Sequence, residues 1–409
     1  MGKSKFLNLI FSNKSNIALI CILTMFAGLL VSRVALTCGM FGLGFFTLAD
    51  IHPKKCFRNK WWLAGCCFVA VYALTYFWSK DFDYWWHHTE SKLPILLLPL
   101  CFAFLPRFTA KQYTVFTISL ALMLLAGAIY STSFLVGHVS YFIQEYRTSH
   151  VLPTLVENDY IRFSLSVALF ICWAVYVWPR LTNKFVKWFV GISIFLLSIF
   201  LHILASKSGL VALYLFFTLW GLYQLIQKKK KWGIGILAGL GLLLILANKY
   251  IPTFHERLGY MGFTYFMYQS GDQSGRYGDI GRIISYDIAI KLIKEHPISG
   301  VGVGDMFHEM VAAYHKWYPN VAEEEMLLPH NQFLTVTLAC GIPGLLIFIV
   351  WVFSPLGLLK KNRESFFFAI VWLILFFQLM IEPVLEIQFG VFVYLFFLLW
   401  QKHTLKIGD

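Results

Sequence analysis

Lys228-Lys-Lys-Lys231 runs straight into Trp232-Gly-Ile-Gly-Ile-Leu-Ala-Gly-Leu-Gly-Leu-Leu-Leu-Ile-Leu-Ala-Asn-Lys-Tyr250. A helix needs about 20 apolar residues to cross a hydrocarbon core of about 30 Å. The stretch 232–250 offers that length with Lys249 as its one charge. The four lysines at its entry keep that end in the cytoplasm, because short basic loops resist translocation. It therefore reads as a membrane span with a direction, and the rest of the chain repeats the pattern. Further apolar runs lie at about 16–32, 34–50, 61–79, 93–106, 113–137, 160–178, 185–204, 208–227, 331–353, 365–381 and 384–401, which makes twelve expected spans. The run at 93–106 is short and holds Pro94 and Pro99, so it is expected to tilt or break.

Composition agrees. Of 409 residues, 58% are hydrophobic and 13% charged, with a mean hydropathy of +0.67. Soluble domains carry about 25% charged residues, so a soluble fold is excluded, as are disorder and fibrous repeats. In a soluble chain the net charge of +13 would suggest nucleic acid. Twelve spans place both termini on one side. That side collects 21 basic residues against Asp50, Glu364 and Asp409, a balance of +18; the other 13 basic and 18 acidic residues leave the opposite face at −5. The excess is thus topogenic, with cytoplasmic termini, the lipid bilayer as partner and no nucleic acid. The eight cysteines lie in or beside apolar runs and read as buried small hydrophobes, with neither a disulfide framework nor a zinc site. The first run, about Ile17 to Val31, lacks a nearby A-x-A cleavage site and reads as a retained span.

The expected fold is an all-α polytopic membrane protein of about twelve transmembrane helices. About nine form an N-terminal bundle over 1–250, a large loop on the outer face covers 251–329, and about three helices follow over 330–409. The loop holds two expected amphipathic helices, about 282–296 and 304–317. Pro297 and Gly300-Val-Gly-Val-Gly304 stop the first of them. That glycine run lacks the Walker lysine and a preceding strand, so it is expected to be a tight turn and not a phosphate cradle. Polar groups crowd the outer face: Lys207, Arg276, Arg282, Glu323 to Glu325, His330, Asn331, Glu382 and Glu386. Repeated halves around a midplane site, the pattern of a transporter, are not visible. Chemistry at the outer face is favoured over transport of a lipid or glycan.

Four elements follow in order: Gly278-Asp-Ile-Gly-Arg282, His296-Pro-Ile-Ser-Gly-Val-Gly-Val-Gly-Asp305, Leu328-Pro-His-Asn-Gln-Phe-Leu334 and Gly341-Ile-Pro-Gly344. In that order and spacing they resemble the O-antigen ligase and O-antigen polymerase superfamily of bacterial envelope enzymes. The resemblance covers about 200–350 by motif and the whole chain by span count and loop position. It implies a GT-C-like helical membrane fold in the bacterial inner membrane, with the active site on the periplasmic face. The implied donor is a glycan on a polyprenyl (undecaprenyl) diphosphate. The implied acceptor is a lipid A-core oligosaccharide for a ligase, the growing glycan for a polymerase, or a protein for an O-oligosaccharyltransferase. No metal and no cofactor are implied. Family ligases carry an arginine in an S-R-(G/S) element, a loop arginine and a histidine before the next span. Here these fall at Lys207 in Ser206-Lys-Ser-Gly209, at Arg282 and at His330. Lys207 departs from that pattern: it keeps the charge and loses the guanidinium fork that suits phosphate.

Chemistry gives these residues roles. Negative charge builds on the leaving diphosphate, and fixed cations must meet it; Lys207, Arg282 and Arg276 are the candidates. The attacking hydroxyl sheds a proton, for which a neutral imidazole at His330 is a suitable base. Asn331 is expected to orient that ring or a sugar hydroxyl. Each residue also has a plainer reading. His330 caps its helix, Arg282 pairs with Asp279, and Lys207 snorkels to the interface. Arg162 either faces the site or anchors its helix. Glu323 to Glu325 form a solvated patch or meet the acceptor. Trp85, Trp86, His87 and His88 form an interfacial belt or a glycan-stacking surface.

Overall fold

The computed structural model describes residues 13–48, 57, 59–148, 150–155, 159–271, 278–359 and 362–405. These are folded into helices, with no strand among them. In chain order the helices are α1 (Lys14–Val31), α2 (Arg33–Leu48), α3 (Lys60–Leu74), α4 (Phe82–Glu90), α5 (Leu93–Ala103), α6 (Ala110–Ser133), α7 (Val139–Tyr146), α8 (Tyr160–Val177) and α9 (Lys184–Leu204). They continue with α10 (Lys207–Ile226), α11 (Lys230–Tyr250), α12 (Pro252–Gln269), α13 (Gly278–Glu295), α14 (Met306–Trp317), α15 (Gln332–Phe353), α16 (Arg363–Ile381) and α17 (Gln388–Leu405).

Apolar sequence favours helix because only local hydrogen bonds satisfy a backbone removed from water. The starts are fixed by side chains. Thr109 and Gln112 form a reciprocal capping box at α6, while Asn59, Asp159, Asn183, Asn331 and Asn362 each accept an N–H of their own first turn. Nine of the described helices are long and apolar enough to cross a membrane. Three other expected spans are helical over different lengths. Arg33–Leu48 has 16 residues and Leu93–Ala103 has 11. At 1.5 Å per residue the latter reaches about 16 Å, about half a hydrocarbon core. The run at 384–401 begins its α-helix only at Gln388, after a 3-10 turn over Val384–Glu386. The two expected loop helices are α13 and α14. Helix α12 joins them within the loop, with Pro252 at its first position, where a missing N–H costs nothing.

The chain divides into two compact units, each discontinuous in sequence. The first comprises Met1–Ile51, Cys101–Tyr260 and His403–Asp409. Its α8 is apolar around most of its surface after Arg162 and 78% buried, as befits a helix at the middle of a bundle. Helix α11 is only 11% buried and turns its leucines and isoleucines outward. Cys38 and Cys67 are exposed, unlike Cys101, Cys172 and Cys340, so the cysteines are not uniformly buried.

The second unit comprises His52–Leu100 and Met261–Lys402. Its α15 is interrupted at Gly341, whose φ of +69° and ψ of −173° leave the helix. Pro343 has no N–H to offer Ala339, four residues earlier, so the helix cannot close there. The segment 297–302 fills the gap: Val301 N–H donates to Leu338 O (2.8 Å), Gly302 N–H to Ala339 O (3.1 Å), and Ile342 N–H to Pro297 O (2.8 Å). Side chains on this contact would collide, since a Cβ on Gly341 meets the Ile298 carbonyl and one on Gly300 meets the Ala339 backbone. The Gly300–Gly304 run is thus a tight turn, as expected, and its partner is the broken helix.

Candidate functional site

The interruption of α15 and the 297–302 turn tie the end of α13 to the middle of α15. This fixes how the start of α13 meets the residues just before α15. Arg282 and Tyr286, one turn apart on α13, both reach that end. The Tyr286 hydroxyl donates to the backbone carbonyl of His330 at 2.7 Å. Burial pushes this phenol above its usual value, with Arg282 opposing and Glu382 reinforcing the shift, so it stays a donor.

Glu382, the residue that ends α16, receives both candidate groups. Arg282 Nη2 donates to its Oε1 at 2.6 Å, and His330 Nδ1 lies 2.9 Å from its Oε2. The carboxylate side chain is 6% exposed, while Arg282 and His330 are 27% and 26% exposed, so the acid is covered and the two groups it holds face outward. An ionised carboxylate only accepts. A neutral His330 therefore meets it by donating Nδ1–H, which leaves the lone pair on Nε2. One buried acid thus holds a guanidinium on one oxygen and fixes an imidazole tautomer on the other.

Residues 192–349 match the family model described as O-antigen ligase. That match supports the O-antigen ligase and polymerase superfamily. No curated protein matches the chain. The matched segment runs from within α9 into α15 and carries Lys207, Arg282, His330 and Asn331. Glu382 lies beyond its end.

The structure puts the other expected residues as follows. Asn331 is the N-cap of α15, accepting from Phe333 and Leu334 N–H at 2.9 and 3.1 Å, and its amide donates to Met380 O at 2.9 Å. The ring is met by Glu382 and not by Asn331. Lys207 is the first residue of α10, half-buried, in the first unit. It follows Ala205, whose φ of +48° turns the chain sharply out of α9. Tyr146 holds that turn by donating to Leu204 O at 2.9 Å. Arg162, also in the first unit, pairs with Asp159 at 3.3 Å, and its buried Nε has no hydrogen-bond partner among the described residues. Arg276 lies outside the described residues. Glu323 to Glu325 form a 3-10 turn without a buried side chain, and His315 approaches Glu323 at 3.7 Å. Among the described residues, no three His, Cys, Asp or Glu side chains converge as metal ligands.

Sequence reading placed Glu382 and Glu386 on the outer face without a role, and it put His88 in an aromatic belt. In the second unit Glu386 is the centre of a buried cluster. Its Oε2 accepts from Lys92 Nζ at 3.0 Å and lies 3.1 Å from His88 Nδ1; its Oε1 accepts from Gln332 Nε2 at 2.7 Å and the Tyr72 hydroxyl at 3.2 Å. The signal was available, since an ionisable residue inside an apolar run is costly and needs a partner. Glu386 falls in the run 384–401, and Lys92 directly precedes 93–106.

Proposed function

We propose that this chain is an O-antigen ligase-type glycosyltransferase. It moves a glycan from a polyprenyl-diphosphate donor to a lipid A-core acceptor at the periplasmic face of a bacterial inner membrane. The observation that carries the reading is the His330–Glu382–Arg282 constellation, joined to the ligase family match over 192–349.

In the proposed reaction the acceptor hydroxyl gives its proton to His330 Nε2 as its oxygen attacks the anomeric carbon. The bond from that carbon to the diphosphate oxygen breaks, and its electron pair leaves on the diphosphate. Arg282, pointed outward by Glu382, meets the growing charge with its remaining N–H groups. Imidazolium formation at His330 is supported by the carboxylate 2.9 Å away. Lys207, in the ligase segment, is proposed as a further cation for the donor.

The test is transfer from a defined polyprenyl-diphosphate glycan by full-length protein in membranes, with His330→Ala, Arg282→Ala and Lys207→Ala compared at equal protein levels. Loss in the first two is expected, and normal rates in both would remove the site. Deletion separates ligase from polymerase: a ligase loses attachment of the polymer, whereas a polymerase leaves single-repeat products.

A further inference from the structure

We infer that the buried Lys92–Glu386 pair is the positioning device for the His330–Glu382 contact, acting through Gln332. This rests on the reading of His330 as the base.

Three consecutive residues at the entry to α15 hold the segment that carries Glu382. His330 meets Glu382, Asn331 donates to Met380 O, and Gln332 accepts from Leu385 N–H at 2.7 Å. The third contact depends on which way the Gln332 amide points. Glu386 and the Leu385 N–H set that together: a carboxylate only accepts, so the amide NH2 faces Glu386, and a backbone N–H only donates, so the carbonyl faces Leu385. Without the Glu386 carboxylate the amide loses one of its two anchors, and the turn over 382–386 is held less firmly in register against His330. Lys92, fully buried, supplies the charge that keeps Glu386 ionised in this enclosure. The pair therefore acts at a distance: it touches neither His330 nor Arg282, and it sets where Glu382 stands. An error of about 1 Å in such a contact is enough to slow a reaction about 100-fold.

Besides Lys92, the groups facing Glu386 are His88, Tyr72, Tyr84, Cys340 and Gln332. Glu382 stands at the ring of His330 and holds Arg282 on its other oxygen. The test uses full-length protein in detergent with a polyprenyl-diphosphate glycan donor and a lipid A-core acceptor. The Lys92→Met/Glu386→Met double variant replaces both charges by apolar side chains of similar length, so no unpaired charge is left inside. Expected results are an assembled protein, a kcat lower by about 10- to 100-fold, and an unchanged donor KM. The split between a lowered kcat and an unchanged donor KM separates a positioning role from a general loss of folded protein. An assembled double variant with wild-type kcat overturns the inference. Gln332→Met leaves the ion pair in place and decides the question should the double variant not assemble: the same loss supports the inference, and wild-type kinetics overturn it. His330→Ala separates the two proposals. Transfer that survives it removes the base itself, whereas its loss beside a fully active double variant removes only the positioning role.

Discussion

Glu382→Gln asks how much of the chemistry rests on one buried charge. The substitution keeps the shape of the side chain and removes the negative charge that Arg282 meets at 2.6 Å and His330 at 2.9 Å. The two contacts do not count equally in the rate. The Arg282 contact exists before and during reaction, so its loss falls on both states. The His330 contact changes: a neutral ring becomes an imidazolium beside the carboxylate as the proton moves. A hydrogen bond to a charged group contributes about 1.5–3 kcal/mol net. With the acid only 6% exposed, water does not replace it. At 1.36 kcal/mol per decade, the expected fall in kcat is about 10- to 150-fold. Arg282, released from its carboxylate, keeps its charge for the donor, so donor KM stays level or falls. Steady-state transfer by purified full-length protein, with the lipid-linked donor varied, measures both. A correctly assembled Glu382→Gln variant with kcat within about threefold of wild type would refute the reasoning, and so would a loss confined to KM.

Arg282→Lys keeps the charge and gives up the fork, so transfer is expected to fall about 10-fold, less than for Arg282→Ala; equal rates for Lys and Arg would reduce the site to a point charge. Gly341→Ala places a side chain at φ +69° and against the Ile298 carbonyl. A loss of at least about 1–3 kcal/mol is expected, read as a lower Tm in detergent, and an unchanged Tm would contradict the broken-helix contact. Asp287 gives a pH test. Burial would push its carboxyl up, but the hydrogen bonds from Lys291 and Tyr318 outweigh that and hold it below its ordinary 3.8. A depressed acid stabilises the fold above its unfolded value, and that contribution is lost as pH falls through the folded one. Asp287→Asn should therefore narrow the stability difference between neutral pH and pH values below 3.8, by a small amount because the pair is partly exposed.

The helices were legible in the sequence because apolar runs and amphipathic spacing are local properties. The ends of α13 and α14 lie within a few residues of 282–296 and 304–317. The glycine turn over 300–304 was legible as a turn and illegible as a plug, since its partners, the Leu338 and Ala339 carbonyls, are released only by Gly341 and Pro343 in another helix. Arg282 and His330 were singled out individually, with Asp279 and a capping role as the plainer readings. What joins them is Glu382, 100 residues from Arg282 and 52 from His330. No local pattern carries such a contact. It exists only because α16 ends where α15 begins, and Asn331 fastens the two. Glu386 was visible as an outer-face acid, but its partners Lys92, His88, Tyr72 and Gln332 come from distant parts of the chain, so its cluster was not.

The segment matching the family model ends at 349, in the second half of α15. It brings the proposed cation and the proposed base, Arg282 and His330, and neither comes with its orientation. The carboxylate that aims Arg282 and fixes the tautomer of His330 stands at 382, and the cluster that steadies its turn takes Lys92 from a stretch far upstream. A histidine without that acid is free to carry its proton on Nε2, the wrong nitrogen for a base that points outward. The same segment in a chain with an uncharged residue at 382 would keep the family pattern and lose the preset base. The chemistry proposed for this chain therefore depends on Glu382, outside the matched residues, as well as on Arg282 and His330 within them.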